Sequence, residues 1–522
     1  MNKRLFFWSL TSALAGFLFG FDTVVISGAE KPIQALWELS SVEHGLAMSM
    51  ALWGTVVGSL IGGWPTDRFG RTKTLLWIGI LYVVSAVWSA MATDVYSFMI
   101  ARFIGGLGVG ISTVAAPLYI SEISPPAMRG RLAGMFQFNI VLGILIAFLS
   151  NALLGNVGEN AWRWMMGVEA FPAIVYSLLC FTLPESPRWL IGRGDRETGL
   201  EVLRTINSDA SEADVLALAD EIVAAATSSE RVTHGFWSWK LRTPIMLAFL
   251  VAFFNQLSGI NAILYFAPRI FGLTGLDQQA ALLQSVGIGL TNLIFTFVGL
   301  YLIDRLGRKT LLFIGAIGYI VSLGLCSYTF FANASEFKVA STAIEVVGVI
   351  EKIEQSPTPD SYAEDLSEAK TAFAASVTDD YRGEPITIRE EASVAEWKTI
   401  AQQAVTDASE ASNPAGMIVL LCIFGFIAAH AVGQGAVIWV LISEIFPNKY
   451  RAAGQSLGSF THWIFAAMLT LVFPWMVTYF APGYVFGFFC FMMVLELFWV
   501  IFLVPETKGV PLEQIQRQLG VE

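Results

Sequence analysis

Twelve long apolar stretches punctuate this chain of 522 residues, at roughly 6–28, 46–66, 72–92, 95–120, 129–153, 163–183, 244–271, 281–303, 309–331, 416–443, 453–480 and 484–504. A helix that crosses bilayer hydrocarbon needs about 20 predominantly apolar residues, and each stretch is close to that length. Backbone in lipid must satisfy its own polar groups, which leaves helices or closed barrels. The runs are continuous rather than alternating, so barrel strands are excluded. The expected fold class is an all-α membrane protein with twelve transmembrane helices. The first run follows Lys3 and Arg4, is too long for a signal-peptide core and contains Asp22, so it reads as an uncleaved first span.

Composition agrees with a life in lipid. The chain is 55% hydrophobic and 14% charged, against about 25% charged in soluble domains. Its net charge of -11 argues against nucleic-acid binding. Cys180, Cys326, Cys422 and Cys490 all fall within apolar runs without metal-ligand spacing and read as small core residues.

Lys and Arg set the orientation. With the N-terminus inside, the inner segments hold 21 of the 31 basic residues. Both termini are therefore expected to be cytoplasmic, in a plasma (bacterial inner) membrane. Three regions follow: an N-terminal bundle over 1–183, a polar, helix-prone cytoplasmic linker over 184–243, and a C-terminal bundle over 244–522. Within the last, 333–413 is expected outside, between spans 9 and 10. That segment has 16 acidic residues against 6 basic ones, so nearly all the negative balance sits there. Its stretches EVVGVIEKIEQ and SVAEWKTIAQQAV look amphipathic, and short helices are expected.

The chain also repeats itself. Asp67-Arg68-Phe-Gly70-Arg71 ends span 2, and Asp304-Arg305-Leu-Gly307-Arg308 ends span 8, 237 residues later. Ser121-Glu122-Ile-Ser-Pro125 is echoed by Ser443-Glu444-Ile-Phe-Pro447, and each leads to an arginine, Arg129 or Arg451. Two six-helix pseudo-symmetric bundles with a site between them at mid-membrane are a common build of secondary transporters. Asp67 and Asp304 are expected to face a helix N-terminus and the neighbouring arginine. Glu122, Glu444, Arg129 and Arg451 are expected to bridge the halves on the inner face, closing an inner gate that breaks on opening.

These phrases carry a resemblance. The motifs are Asp67-Arg68-Phe-Gly70-Arg71; Arg102-Phe-Ile-Gly105-Gly-Leu-Gly108-Val-Gly110; Pro117-Leu-Tyr-Ile-Ser-Glu122 with Arg129-Gly130; Pro184-Glu185-Ser186-Pro187-Arg188-Trp189; Gln256-Leu-Ser-Gly259-Ile-Asn261; Trp439-Val-Leu-Ile-Ser-Glu444-Ile-Phe-Pro447; and Pro505-Glu506-Thr507-Lys508-Gly509. Seven in this order resemble the sugar porter family of the major facilitator superfamily, over both halves and all twelve spans but not over 333–413. The resemblance adds Glu185, Arg188 and Glu506 to an inner charge network with Asp67, Arg68, Arg71, Glu122, Arg129, Asp304, Arg305, Arg308, Glu444 and Arg451. It also implies bacterial proton-coupled xylose, galactose or arabinose symport as the nearest type of activity.

Ionisable residues inside a membrane are costly and are functional candidates by default. Asp22, Arg102 and Glu169 all sit roughly 10 Å below the outer surface, each six or seven residues from the expected outer end of its span. Equal depth in one bundle lets them meet. Asp22 beside Arg102 would act as a proton switch if a conformational change separates them. A fixed salt bridge pinning two helices is the competing reading. Proton-coupled sugar porters carry an acid at the position of Asp22, whereas facilitative glucose carriers have Asn, and this resemblance favours the switch. Glu169 tunes Arg102 or faces headgroups. Glu496 in span 12 shows no partner, and a structural role is expected for it.

A sugar needs hydrogen-bond partners and aromatic plates, and amides offer donors and acceptors together. Amides within spans are Gln137, Asn139, Asn255, Gln256, Asn261, Asn292 and Gln434. Gly259 between Gln256 and Asn261 is expected to loosen span 7 so that both turn inward. The resemblance implies sugar-binding positions at Gln137, Asn255, Gln256, Asn261, Tyr265, Asn292, Gly435, Trp439 and His462, with Phe19 as a lid. The chain departs from the family with Asn255 where Gln is usual, His462 where Asn or Gln is usual, and Ala436 for the common Pro of span 10. That last change is expected to make span 10 less kinked. Each lone amide could instead be glue between helices.

The function expected is proton:sugar symport of a monosaccharide by alternating access. The alternatives are a facilitative uniporter and a non-transporting sugar sensor with 333–413 as its docking surface. An enzyme is not expected, nor a metal or cofactor: no Ser/His/Asp set, metal-ligand cluster or phosphate loop is visible. The expected partners are monosaccharide, proton and lipid bilayer, no nucleic acid, and an unknown partner for the acidic outer segment.

Overall fold

A computed structural model describes residues 3–125, 128–158, 160–207, 211–228, 235–355, 362–378, 380–389, 391–412, 414–447, 450–510 and 512–521. Among these the regular structure is helical, without strands. Span 1 is Lys3–Leu36, span 2 Ser41–Ile61, span 3 Arg71–Met91, span 4 Val95–Ile123 and span 5 Arg129–Leu154. Span 8 is Gln278–Leu306, span 9 Arg308–Ala332, span 11 Arg451–Tyr479 and span 12 Pro482–Phe502. Local chemistry starts several of them. Ser40 and Glu43 form a reciprocal capping box at span 2, Asp94 caps span 4, and Asp277 caps span 8.

The other three spans are broken. Span 6 consists of Ala161–Gly167 and Ala170–Cys180, with Val168 and Glu169 at the junction. By length and apolarity eleven helices qualify as spans, and this split element is the twelfth. Span 7 consists of Arg242–Leu257, Ile260–Tyr265 and Ala267–Gly272; Gly259 between the first two pieces has φ 90°. Only glycine adopts that angle cheaply. Span 10 breaks at Gly433, between Ala415–Val432 and Gln434–Ile445. The straighter helix expected from Ala436 is therefore not found: Gly433, with φ -87° and ψ -99°, ends the upper helix without a proline.

Span 1 packs along span 5, span 2 along span 4, and span 9 along spans 10 and 12. Two seams join the halves, span 2 to span 11 and span 5 to span 8. Gly45 makes the first seam close, since a Cβ there would collide with the Leu471 carbonyl. At the repeated Asp-Arg-x-Gly-Arg turns, Gly70 has φ 99° and Gly307 φ 95°. Any side chain at either would also collide with a carboxylate, Glu185 or Glu506 respectively. The motif's glycine is thus required twice over, by backbone angle and by the room a carboxylate takes.

Beyond the spans, Pro187–Gly192, Arg196–Ile206 and Glu212–Ser228 form a small helical cluster around Ile191, Leu203, Val215, Ala219 and Ile222. Between spans 9 and 10 stand Ala334–Gln355, Ala363–Ser376 and Val394–Ser412. They enclose a core of their own, including Val339, Val346, Ile350, Phe373 and Trp397. The helices here are longer than the short ones expected, and the middle one carries no amphipathic signal that stood out. Cys180, Cys326, Cys422 and Cys490 are unbridged thiols.

Candidate transport site

Span 1 and span 4 meet at a dry ion pair. Arg102 Nη1 donates to Asp22 Oδ1 at 2.6 Å, and Nη2 donates to the Asp22 backbone carbonyl at 2.9 Å. Their side chains are 0% and 1% exposed. The small-residue run of span 4 makes room, for Gly105 faces Ser85 of span 3 and Asp22 itself. Glu169, at the break of span 6, is also buried, and neither of its carboxyl oxygens has a hydrogen-bond partner among the described residues. It stands within electrostatic reach of Asp22 and Arg102. Two buried carboxyls thus stand within electrostatic reach of one guanidinium, and only Asp22 is bonded to it. Full ionisation would leave a net negative charge in a buried site, and one bound proton balances it. The buried phenols Tyr82 and Tyr265 feel the same charges, so Tyr265 of span 7 stands within electrostatic reach of the N-terminal ion pair.

That amide cluster is built by the break at Gly259. Asn261 Nδ2 donates to Gln256 Oε1 at 2.7 Å, and Gln256 Nε2 donates to Asn255 Oδ1 at 2.9 Å. The second Gln256 proton is directed at the His462 ring of span 11, whose nitrogens lie 3.1 and 3.2 Å away. His462 thus offers the acceptor that a family amide would offer. Aromatic rings frame it. Trp439 lies 5.4 Å from His462, Trp463 lies 4.7 Å from it, and Phe19 of span 1 lies 5.5 Å from Trp463. Trp463 was not singled out in the sequence, although its place next to His462 was a signal. Gly435 opens the lower half of span 10 against the His430 carbonyl. Gln137 is half-buried on span 5 and Asn292 is buried on span 8. Among the described residues neither hydrogen-bonds into the amide cluster, so they stand as separate walls. Asn139 bonds back to Met135 of its own helix and is spent there. Gln434 turns to Glu496, which corrects the reading of Glu496 as partnerless.

The inner charges pair within each half rather than across. Arg71 forks onto Glu122, Nε to Oε2 at 2.9 Å and Nη2 to Oε1 at 2.8 Å. Arg308 Nη2 meets Glu444 Oε1 at 2.9 Å, and Thr507 donates to the other Glu444 oxygen at 2.6 Å. Asp67 and Asp304 sit 3.4 Å from those arginines, four residues earlier and across the glycine turn. They do not meet the helix N-termini expected of them. Glu185 takes that place, accepting from the Arg71 backbone at 2.9 Å and from Thr72 Oγ1 at 2.8 Å. Glu506 does the same for Arg308 at 2.9 Å and Lys309 at 3.1 Å. A carboxylate on free backbone N–H groups is favourable, and here it ties a later loop to each repeat turn.

Among the described residues no inner ion pair links the halves, contrary to the bridge expected of Glu122, Glu444, Arg129 and Arg451. Arg451 Nε and Nη2 are buried without hydrogen-bond partners among the described residues. The Arg129 side chain lies outside the described residues. Arg68, Arg188 and Arg305 are exposed; Arg305 lies over the Tyr301 ring at 4.0 Å, and the Arg68 carbonyl accepts from Arg193.

At the opposite end an ion pair does cross. Arg269 of span 7 bonds Glu30 and Gln34 of span 1, and His44 Nε2 of span 2 lies 3.0 Å from the same Glu30 oxygen. Glu30 is 1% exposed. Ser41 and Thr478 add a 3.1 Å hydroxyl contact between spans 2 and 11. The sequence reading missed this set because span 1 was ended near residue 28, whereas the helix continues to Leu36 with Glu30 inside it. Nothing in the apolar run marks that extension, but Lys31 and Arg269 were the stray basic residues on an otherwise acidic side.

Known proteins resemble this chain in sequence and fold. The profile of the sugar (and other) transporter family matches residues 8–350 and 398–519, leaving out most of the outer helical segment. The arabinose-proton symporter of Bacillus subtilis is 30% identical over 518 residues, covering 98% of this chain and 94% of that protein. The D-xylose-proton symporter of Escherichia coli is 28% identical, over 99% of this chain and 96% of the other. The inward-open structure of the xylose transporter XylE from E. coli superposes with a TM-score of 0.74 at 26% identity, over 98% of this chain and 99% of that one. This chain therefore belongs to the sugar (and other) transporter family, with its major facilitator fold of twelve membrane helices.

Proposed function

We propose that the chain is a secondary active transporter that couples one monosaccharide, a hexose or a pentose, to inward proton flow by alternating access. The observation that carries this reading is the buried cluster of Asp22, Arg102 and Glu169, set against Tyr265 of the sugar cluster. Its proton count depends on whether Arg102 stays beside Asp22, so rocking of the halves becomes protonation and deprotonation of Asp22. Sugar bound by Asn255, Gln256, Asn261, Tyr265, Trp439 and His462, with Gln137, Asn292, Gly435 and Phe19 around them, draws the two bundles 1–183 and 244–522 together and commits the cycle. The symporter names of the relatives in B. subtilis and E. coli support the same reading. The ion pair between Glu30 and Arg269 acts as the outer gate, and the inner charges, pairing within halves here, release one another for the inner gate. The protein works in a plasma or bacterial inner membrane with both termini cytoplasmic.

In proteoliposomes an imposed inward proton gradient should accumulate the transported sugar, and a protonophore should abolish accumulation. Uptake that only equilibrates the sugar and ignores the protonophore would mean a facilitative uniporter. Sugar binding without counterflow of any pentose or hexose would mean a sensor.

A further inference from the structure

Span 10 is broken where span 12 brings up a carboxyl. Val432 ends the upper helix, Gly433 turns against the backbone of Gly315 in span 9, and Gln434 begins the lower helix. Glu496 of span 12 is 0% exposed, and its Oε1 accepts a hydrogen bond from Gln434 Nε2. The other oxygen of each group, Glu496 Oε2 and Gln434 Oε1, is buried without a hydrogen-bond partner among the described residues. Both are acceptors, and each belongs to the group already joined through its neighbouring atom. Buried acceptors are normally satisfied, so two orphans beside one bond call for a donor.

The surroundings supply no cation. Span 9 presents Tyr319, within electrostatic reach of Glu496, and its hydroxyl is 2.6 Å from His430 Nδ1 of span 10. Span 7 meets span 12 through Phe254 and Trp499, whose rings lie 5.7 Å apart, and its amides Asn255 and Gln256 bond to one another and to His462 of span 11. Among the described residues no Lys or Arg pairs with Glu496. An ionised carboxylate there would be an uncompensated charge in lipid-depth protein and would leave both acceptors bare. One proton on Oε2 would remove the charge and make that oxygen a donor, and its donation to Gln434 Oε1 would close a two-bond acid–amide ring.

We propose that Glu496 is a second proton-binding site, distinct from Asp22, and that its proton latches the span-10 hinge to span 12. The proton comes from water and returns to water, and the O–H bond at Oε2 is the only bond made or broken. Loss of that proton frees Gln434, the residue next to Gly435 and five before Trp439. The lower half of span 10 then swings as a unit with its tryptophan. The consequence for transport rests on the transporter reading; the protonation itself does not.

The test is infrared titration of the purified full chain in lipid nanodiscs, read at the C=O stretch of protonated carboxyls. The expected result is a hydrogen-bonded acid band at neutral pH that E496Q removes and D22N leaves in place. Gln434→Leu, which keeps the acid, should shift the same band to higher frequency, and this reads the ring even if E496Q fails to fold. A band unchanged by both variants overturns the proposal. In counterflow, E496Q preserves the ring with an amide, so its rate should hold at alkaline pH where the wild type falls several-fold. Superimposable pH profiles would overturn the latch. An acid band sensitive to E496Q in a protein that moves no sugar would strike the transport reading alone.

Discussion

Arg102 holds Asp22 twice, through the carboxylate at 2.6 Å and through the backbone carbonyl at 2.9 Å. The second bond ties the guanidinium to helix 1 whatever the carboxylate's charge. Asp22→Asn should therefore fold and exchange sugar, yet fail to concentrate it. Arg102→Ala should do worse, because it strands two buried carboxyls with no cation. Removing one partner of a buried pair costs about 3–5 kcal/mol. Thermal unfolding in detergent checks this, with a markedly lowered midpoint expected for Arg102→Ala and a near wild-type midpoint for Asp22→Asn.

Gln256 is the hub of the amide cluster, joined to Asn255, Asn261 and His462, where the sugar is proposed to bind. Gln256→Ala should weaken sugar affinity by about 1–3 kcal/mol, on the order of 10- to 100-fold. His462→Gln, which keeps an acceptor, should cost far less than His462→Leu. Equilibrium binding of the transported sugar measures the series. Equal losses for Gln and Leu at 462 would deny His462 its role as acceptor.

Arg269 of span 7 bonds Glu30 of span 1, and Gly45 lets spans 2 and 11 approach closely; in the proposed cycle both belong to the outer gate. Glu30→Gln removes the charge pair, and loss of about 1–3 kcal/mol shifts the closed-to-open ratio by roughly 5- to 150-fold. Gly45→Ala should go further, since a methyl group meets the Leu471 carbonyl. Thiol labelling at a cysteine placed near the amide cluster should rise from the outer side in both variants. Unchanged labelling would remove this set from the gate.

The outer helical segment is anchored by Glu336, to which Arg382 Nε donates at 2.5 Å. Burial, the largest single effect, pushes the Glu336 carboxyl up, but the hydrogen bonds from Arg382, its own backbone and Ser335 together with the Arg382 charge outweigh it and hold the group below its ordinary value of 4.5. A lowered folded-state value means stability that is present above the ordinary value and lost as pH falls through the lowered one. Hydrogen exchange over 334–355 should therefore rise as pH drops below about 4.5, and Arg382→Ala should produce the same rise at neutral pH. Because the segment has its own core around Phe373 and Trp397, deleting 333–413 should leave sugar transport running.

Much of this was legible because lipid makes polar residues rare and therefore informative. Asp22, Arg102 and Glu169 stood out as charges in apolar runs, and the amides of span 7 as hydrogen-bonding groups with no water to face. The repeat turns were legible as motifs but not as geometry: the caps on their helices come from Glu185 and Glu506, more than a hundred residues away in sequence. Glu30 was hidden because a helix continues past the hydrocarbon without any change of hydropathy to announce it. The hinge of span 10 was misplaced because a missing proline was weighed and a glycine three residues earlier was not. Partners such as Gln434 for Glu496 depend on how two helices rotate against each other, which no local pattern encodes.

The central claim is that Asp22 carries the proton that moves with sugar. Simultaneous recording of external pH and sugar uptake in proteoliposomes tests it most directly. The account predicts that adding sugar outside alkalinises the medium in step with uptake, and that Asp22→Asn abolishes the pH change while counterflow continues. Proton movement that persists in Asp22→Asn, or sugar uptake by the wild type with no pH change at all, would contradict it.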